Sequence, residues 1–393
     1  AFAILVVKMP LGSTGNNLFN PAAAGMAFVT VCQPDLVFLY ANPTAGWLDL
    51  SNDITAVLGS TPGSALLEGL KPSLVPRDLL WGVYAGPMGC TAALVIGAGA
   101  LLLLARRTIR DFGADVVVGF GGYASAPVLW AAQRMGVPTL IQEQNSYAGV
   151  TNKILARRAA RICTAYEGME RFFPAEKIVL TGNPLRGGFS KGGVDRREAL
   201  ARFGLTEELP VVLVVGGSLG TRSLNEMMKA WILSTGGKAP VQVIWQTGKF
   251  YEREMQAFLA AHPAPHVWQG AFIDRMDCAY AAADLVVSRS GAGTVSELCL
   301  VAKPVLFVPS PNVAEDHQTK NARALEAKGA AVVVADAECR TTAMRRAEEL
   351  LADPAALRRM SDNIEQLAKP RAADAIVDEV LRVLEQTKKT KKK

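Results

Sequence analysis

The chain has 393 residues, half of them hydrophobic and 20% charged, which excludes a disordered polymer and leaves room for two or three domains with large cores. Its formal net charge of +6 suits an anionic partner (a nucleic acid, an anionic lipid or a phosphorylated substrate), although part of the excess sits in the lysine-rich tail at 387–393. The six cysteines lie far apart without a CxxC pair, and His262, His266 and His317 make no ligand pattern with them. They read as reduced core residues of a cytoplasmic protein, with no metal and no cofactor expected.

In chain order, the apolar start at 2–7 predicts a strand, and it is too short and lacks the basic residues of a signal peptide. It leads to a glycine turn, GSTG at 12–15, and then a helix. Residues 79–105 carry no charge and are followed by Arg106 and Arg107. That run is long enough to span a bilayer, but Pro87 and the glycines at 82, 86, 89, 97 and 99 interrupt it, which favours a buried or membrane-dipping helix. Further strands are predicted at 115–119, 139–142 and 177–181. The second half repeats the opening plan with a strand at 210–215 and the turn GGSLG at 216–220, then strands at 241–246, 285–288, 305–309 and 331–334. Helical stretches lie between many of them. Continuous β-branched runs alternating with helices predict an α/β fold of two doubly wound, Rossmann-like domains. The expected division is 1–187, a linker at 188–208 rich in glycine and charge, and 209–393, whose last helix can return to the first domain. Ligands of such a pair bind in the cleft at the carboxyl ends of the strands.

Several polar loops fall at those ends. The turn at 216–220 offers close backbone approach and a following helix N-terminus, a combination suited to a diphosphate, and Ser218 can add a hydroxyl. Many such turns merely join strand to helix. The segment SRSGAGTVSE at 288–297 is a second candidate cradle. Its Glu297, placed early in the helix, either faces the helix dipole or accepts from the two hydroxyls of a ribose. The loop at 309–321 is dense in hydrogen-bonding groups, and Glu315, Asp316, His317 and Gln318 can be a site or a solvated helix start. In the first half, GFGGYAS at 119–125, QEQN at 142–145 and TGNPLR at 181–186 also follow strands, and Arg186 either faces the cleft or pairs with a surface carboxylate.

Taken together, the segments at 117–125, 143–152, 181–186, 216–225, 272–276, 288–297 and 315–321 resemble the MurG family, from about residue 106 to 384. The resemblance implies a GT-B fold and transfer of N-acetylglucosamine from UDP-N-acetylglucosamine to lipid I, the undecaprenyl-diphosphate-linked acceptor, giving lipid II. It implies that Ile273 contacts uracil through its backbone, Glu297 holds the ribose, Ser218 and its turn meet the diphosphate, and Gln318 binds the sugar hydroxyls. Asn145 and Arg186 would reach the donor from the first domain, with Tyr123, Met276 and Thr294 as further substrate-binding positions. Thr14, Gly15 and Asn16 stand where the family's first loop approaches donor and acceptor. That loop departs from the family's GGTGGH pattern, and the histidine falls on Asn17. Asparagine takes no proton at neutral pH, and losing a positioned base costs about 10²–10⁴ in rate. Glu315 and Asp316 are base candidates by chemistry only.

The family also implies peripheral docking on the anionic cytoplasmic face of the bacterial inner membrane, for which 101–104 with Arg106, Arg107 and Arg110 are candidates. The implied reaction is inverting, with the acceptor's 4-hydroxyl attacking the anomeric carbon. Two alternatives stay open: a catalytically impaired binding protein, because of Asn17, and another GT-B enzyme such as a UDP-sugar epimerase or glycolipid synthase. The basic residues are scattered without aromatic interleaving, which argues against nucleic acid.

Overall fold

A computed structural model of the chain describes residues 12–13, 16–17, 93–217, 219–236 and 239–391. The chain forms two compact units, Ala1–Arg107 and Thr108–Lys393. In the first, β1 (Gly12–Ser13) pairs antiparallel with β2 (Asn16–Asn17), Gly12 opposite Asn17 and Ser13 opposite Asn16, where the sequence predicts a turn and then a helix. The strand expected at 2–7 and the apolar run up to residue 92 lie outside the described residues. From Ala93 the run is helical, as α1 (Ala93–Phe112). Of the two readings, a buried or a membrane-dipping helix, the first does not hold: Ala105 and Ile109 are buried, whereas Leu101, Leu103, Leu104 and Phe112 are exposed, as are Arg106 and Arg110. No helix among the described residues is long and apolar enough to cross a membrane.

The second unit contains two parallel sheets. The first runs β3 (Val117–Gly119), β4 (Thr139–Glu143), β5 (Arg161–Thr164), β6 (Ile178–Leu180) in spatial order. Its helices include α2 (Ser125–Arg134) and α3 (Val150–Leu155). After α4 (Arg196–Arg202), capped by the Asp195 carboxylate accepting from two backbone N–H groups, the chain enters the second sheet near its middle. That sheet has the order β12-β11-β10-β7-β8-β9, with β7 (Val211–Val215), β8 (Gln242–Gln246), β9 (Val267–Gly270), β10 (Leu285–Ser288), β11 (Val305–Phe307) and β12 (Val332–Val333). Helices α5 (Arg222–Thr235), α6 (Glu252–Ala261), α7 (Met276–Ala282), α8 (Ala292–Val301), α9 (His317–Glu326), α10 (Cys339–Leu351), α11 (Pro354–Glu365) and α12 (Ala372–Lys391) accompany it.

The apolar runs are explained by burial on both faces. In β7, Val211 and Leu213 face one core layer, while Val212 and Val214 face the other. Helix α5 buries Leu224, Met227, Met228, Trp231 and Ile232, the spacing of one helical stripe, and ends at Gly236 in a left-handed conformation. Helix α12 returns to the first sheet, where Ile376 packs on Leu140 and Cys163 and the buried Glu379 lies 3.4 Å from Arg161. Strands β5 and β9 were not anticipated: β5 opens on that ion-paired arginine, and β9 is an edge strand of half-buried Val-Trp-Gln-Gly.

Strand order reverses at β7, which pairs β8 on one side and β10 on the other. The crevice beyond such a switch point is where open α/β sheets bind ligands. The loop there is shaped by two glycines, Gly220 after β7 and Gly248 after β8, both with positive φ and crossing backbone to backbone. A Cβ on Gly248 would come within 2.1 Å of the Gly220 Cα, and one on Gly220 within 2.2 Å of the Thr247 carbonyl oxygen. Gly248→Ala is predicted to destabilise the fold by roughly 2–4 kcal/mol through combined clash and φ strain. The denaturation midpoint in urea measures this, and an unchanged midpoint would contradict the crossing.

Candidate functional site

The crevice at the switch point is a cleft of ≈ 710 Å³. Gly216, Gly217, Gly220 and Thr221 line it from the turn after β7, Gly291 and Thr294 from the start of α8, Ser310 from the loop after β11, and Gln318 from the start of α9. Neither α5 nor α8 has a side-chain N-cap. The Thr221 hydroxyl, at the cap position of α5, donates instead to the Gly216 carbonyl at 2.7 Å and closes the turn. No described side chain accepts from the first N–H groups of either helix, which leaves them to a ligand, and their dipoles favour an anion.

Arg289 supplies the cleft's fixed cation. Its guanidinium meets Asp336 at 2.6 Å, donates to the Ser223 hydroxyl at 2.8 Å and to the Val308 and Pro309 carbonyls, and Ser223 in turn donates to Asp336. Asp336 is thus already engaged. Arg289, Ser223 and Asp336 were not singled out from the sequence; the first lay unremarked in the SRSG segment, and the other two carry no local signal.

The Gln318 side chain accepts from the Ser310 N–H at 2.9 Å, and its carbonyl accepts from the Ser290 hydroxyl. No described residue takes up its amide NH₂, which remains a donor on the cleft wall. Thr294 and Glu297 stand three residues apart on one face of α8. Glu297 lies in the second turn, so the helix-start reading of this carboxylate does not hold. It accepts instead from the Tyr280 hydroxyl at 2.9 Å. Burial pushes its carboxyl above the usual carboxylate range, against the opposing pull of Tyr280 and Arg186. Arg186 is exposed and stacks 5.6 Å from the Phe189 ring. Ile273 is buried and Met276 opens α7 against the same core. No described residue hydrogen-bonds the Ile273 backbone, so its N–H and carbonyl remain available.

Tyr123 and Asn145 are not part of that cleft. They line a neighbouring cavity of ≈ 190 Å³ together with Glu143, Glu315 and His317. The Asn145 loop wraps the Glu143 carboxylate, which accepts from the N–H groups of Asn145 and Gly149 and from the Asn152 amide. Asn321, fully buried on α9, ties this loop to the other: it accepts from the Ser146 N–H at 2.8 Å and donates to the Asn145 side chain and the Ser290 carbonyl. Glu315 and Asp316 both hold left-handed backbone conformations just before α9, with Glu315 3.7 Å from Lys153. Thr14, Gly15 and Ser218 lie outside the described residues, and Asn16 and Asn17 are described by their backbone in β2.

The fold and this cleft define the class: a glycosyltransferase built on two doubly wound domains. The glycosyltransferase family 28 C-terminal domain matches residues 211–376, and its N-terminal domain matches 96–164. A UDP-N-acetylglucosamine–N-acetylmuramyl-(pentapeptide) pyrophosphoryl-undecaprenol N-acetylglucosamine transferase of Parabacteroides distasonis is 54% identical over 72% of this chain and 77% of its own. Among solved structures, MurG of Acinetobacter baumannii aligns with a TM-score of 0.61 at 31% identity, over 74% of this chain and 80% of that one. A UDP-N-acetylglucosamine 2-epimerase aligns at 17% identity with a TM-score of 0.51, over 82% and 85%, a likeness of fold alone. The chain belongs to the MurG family of glycosyltransferases.

The raised carboxyl of Glu297 makes a stability prediction. A carboxyl whose value is higher folded than unfolded stabilises fully below the unfolded value, and that contribution is lost as pH rises through the folded one. Glu297→Gln should therefore match the parent near pH 4 and become the more stable protein as pH climbs above 4.5. Melting curves across that window test the sign, and a variant that loses stability toward neutral pH would contradict it.

Proposed function

We propose that this chain transfers N-acetylglucosamine from UDP-N-acetylglucosamine to the 4-hydroxyl of the lipid I sugar, the reaction for which its relatives are named. The observation that carries the reading is the pair of uncapped helix starts, α5 and α8, opening on one cleft at the switch point. In this reading the diphosphate lies on those N–H groups, Glu297 accepts from the ribose hydroxyls, the Ile273 backbone meets uracil, and the Gln318 amide donates to the sugar. Tyr123 and Asn145, across the start of α9, approach from the acceptor side of the proposed 1–187 domain. The acceptor oxygen forms its bond to the anomeric carbon as the bond to UDP breaks, and the departing charge is stabilised by the helix starts and Arg186.

The acceptor's proton needs a route, and Asn17 provides none. This is the one observation favouring a protein that binds donor without transferring. A transfer assay with labelled donor and a short-chain lipid I analogue, run beside donor binding, separates the two. The proposal expects a lipid-linked disaccharide and free UDP, with Asn17→His raising the rate by about 10²–10⁴ if the first loop holds the base. Donor binding with no transfer in either protein would sink the proposal.

The same reading puts α1 on the membrane. Its exposed leucines beside Arg106 and Arg110 suit the interface of an anionic bilayer, where a basic residue contributes about 1 kcal/mol and a buried leucine about 1.5–3 kcal/mol. Leu103→Asp combined with Arg106→Ala should weaken binding to phosphatidylglycerol vesicles at least ~10-fold. Flotation measures this, and unchanged binding would rule α1 out as the anchor.

A further inference from the structure

Neither the donor cleft nor its neighbour accounts for a third space of ≈ 190 Å³, partly open to solvent, between the two sheets of the second unit. Leu180 and Leu185 wall it from the first sheet, Val295 and Leu300 from α8, Leu325 from α9, and Leu367 from the stretch after α11. Helix α9 separates it from the donor cleft: Gln318 lines the one and Leu325 the other, about 10 Å further along the helix axis at its usual rise. An apolar cavity of about 150 Å³ takes up benzene, so this one has room for an aromatic ring or a short alkyl chain.

It is not purely apolar. The hydroxyl oxygens of Ser146 and Tyr166, both lining residues, are buried and have no hydrogen-bond partner among the described residues. Buried polar atoms are ordinarily paired, and each of these can donate to a ligand oxygen. The Tyr166 phenol is held protonated by burial, which pushes its ionisation far above the ordinary value. Charge at the rim is basic. Arg171 donates to the Ser146 backbone carbonyl at 2.9 Å, which anchors a guanidinium on the residue that carries the buried hydroxyl, and Lys369 lines the same space. The acidic Glu167 there is held by Lys328 at 2.9 Å.

We propose that this cavity is a binding site for a small apolar carboxylate, with its hydrocarbon body among the leucines and its carboxylate at the Ser146–Arg171 corner. Because its walls come from both sheets, an occupant holds them at the spacing seen here. Benzoate is the probe. Saturation-transfer NMR should detect it on the full chain at up to ~10 mM, with benzamide, its neutral analogue, binding more weakly. Ser146→Ala should lower benzoate affinity about 3–10-fold while leaving the ligand-free melting temperature unchanged or higher, since no hydrogen bond is lost. Leu185→Trp, filling the space, should abolish binding. Three results would overturn the proposal: no benzoate binding; benzoate binding unaffected by either substitution; or a Ser146→Ala protein that melts lower without a change in benzoate affinity, the mark of a structural water at the hydroxyl.

Discussion

Two helix starts, those of α5 and α8, turn N–H groups that no described side chain caps into one cleft. A cap contributes about 1 kcal/mol to a helix. Here the one hydroxyl in position to cap α5, that of Thr221, is bonded to the Gly216 carbonyl, so it shapes the turn and leaves the donors free. What brings the two starts together is strand order: β7 and β10 are neighbours although they are far apart in sequence, and the loops leaving them diverge in opposite directions. The turn after β7 keeps its path because it crosses the turn after β8 at a place where neither backbone has room for a Cβ.

Around this opening the molecule departs repeatedly from what stability alone would choose. Arg289 is held nearly buried by its ion pair with Asp336 and by two carbonyls, a guanidinium fixed in place at the cleft. Glu297 is desolvated enough that ionisation costs free energy, and Glu315 and Asp316 hold a conformation that residues with a Cβ rarely adopt. Asn321, by contrast, is fully bonded, and its contacts to Ser146, Asn145 and Ser290 make α9 the strut between the loops of the two sheets. The neighbouring cavity and the donor cleft are thus separated by one helix start, with Gln318 on one side and His317 on the other.

The second sheet was legible because its strands are buried on both faces and so read as unbroken apolar runs; β7 and β10 fall within a residue of the expected bounds. Strands β5 and β9 were not, since one starts with an arginine whose partner, Glu379, is supplied by the distant α12, and the other lies at a sheet edge. The glycine turn and Gln318 were singled out from local pattern and Thr294 through the family resemblance, and all three line one cleft. Arg289, Ser223 and Asp336 escaped notice because their bonds join residues far apart in sequence, which no motif spacing encodes. Of the two readings of Glu297, the helix-start one fell because the start of α8 is not marked by a capping residue and lies a turn before it.

The claim on which the rest turns is that the donor's diphosphate rests on the starts of α5 and α8. Hydrogen–deuterium exchange of the full chain with and without UDP tests it most directly. The account predicts slowed exchange at the amides of 219–224 and 291–295, beyond any general stabilisation elsewhere in the chain. Protection confined to the loops at 119–125 and 144–152, with the two helix starts unchanged, would contradict it.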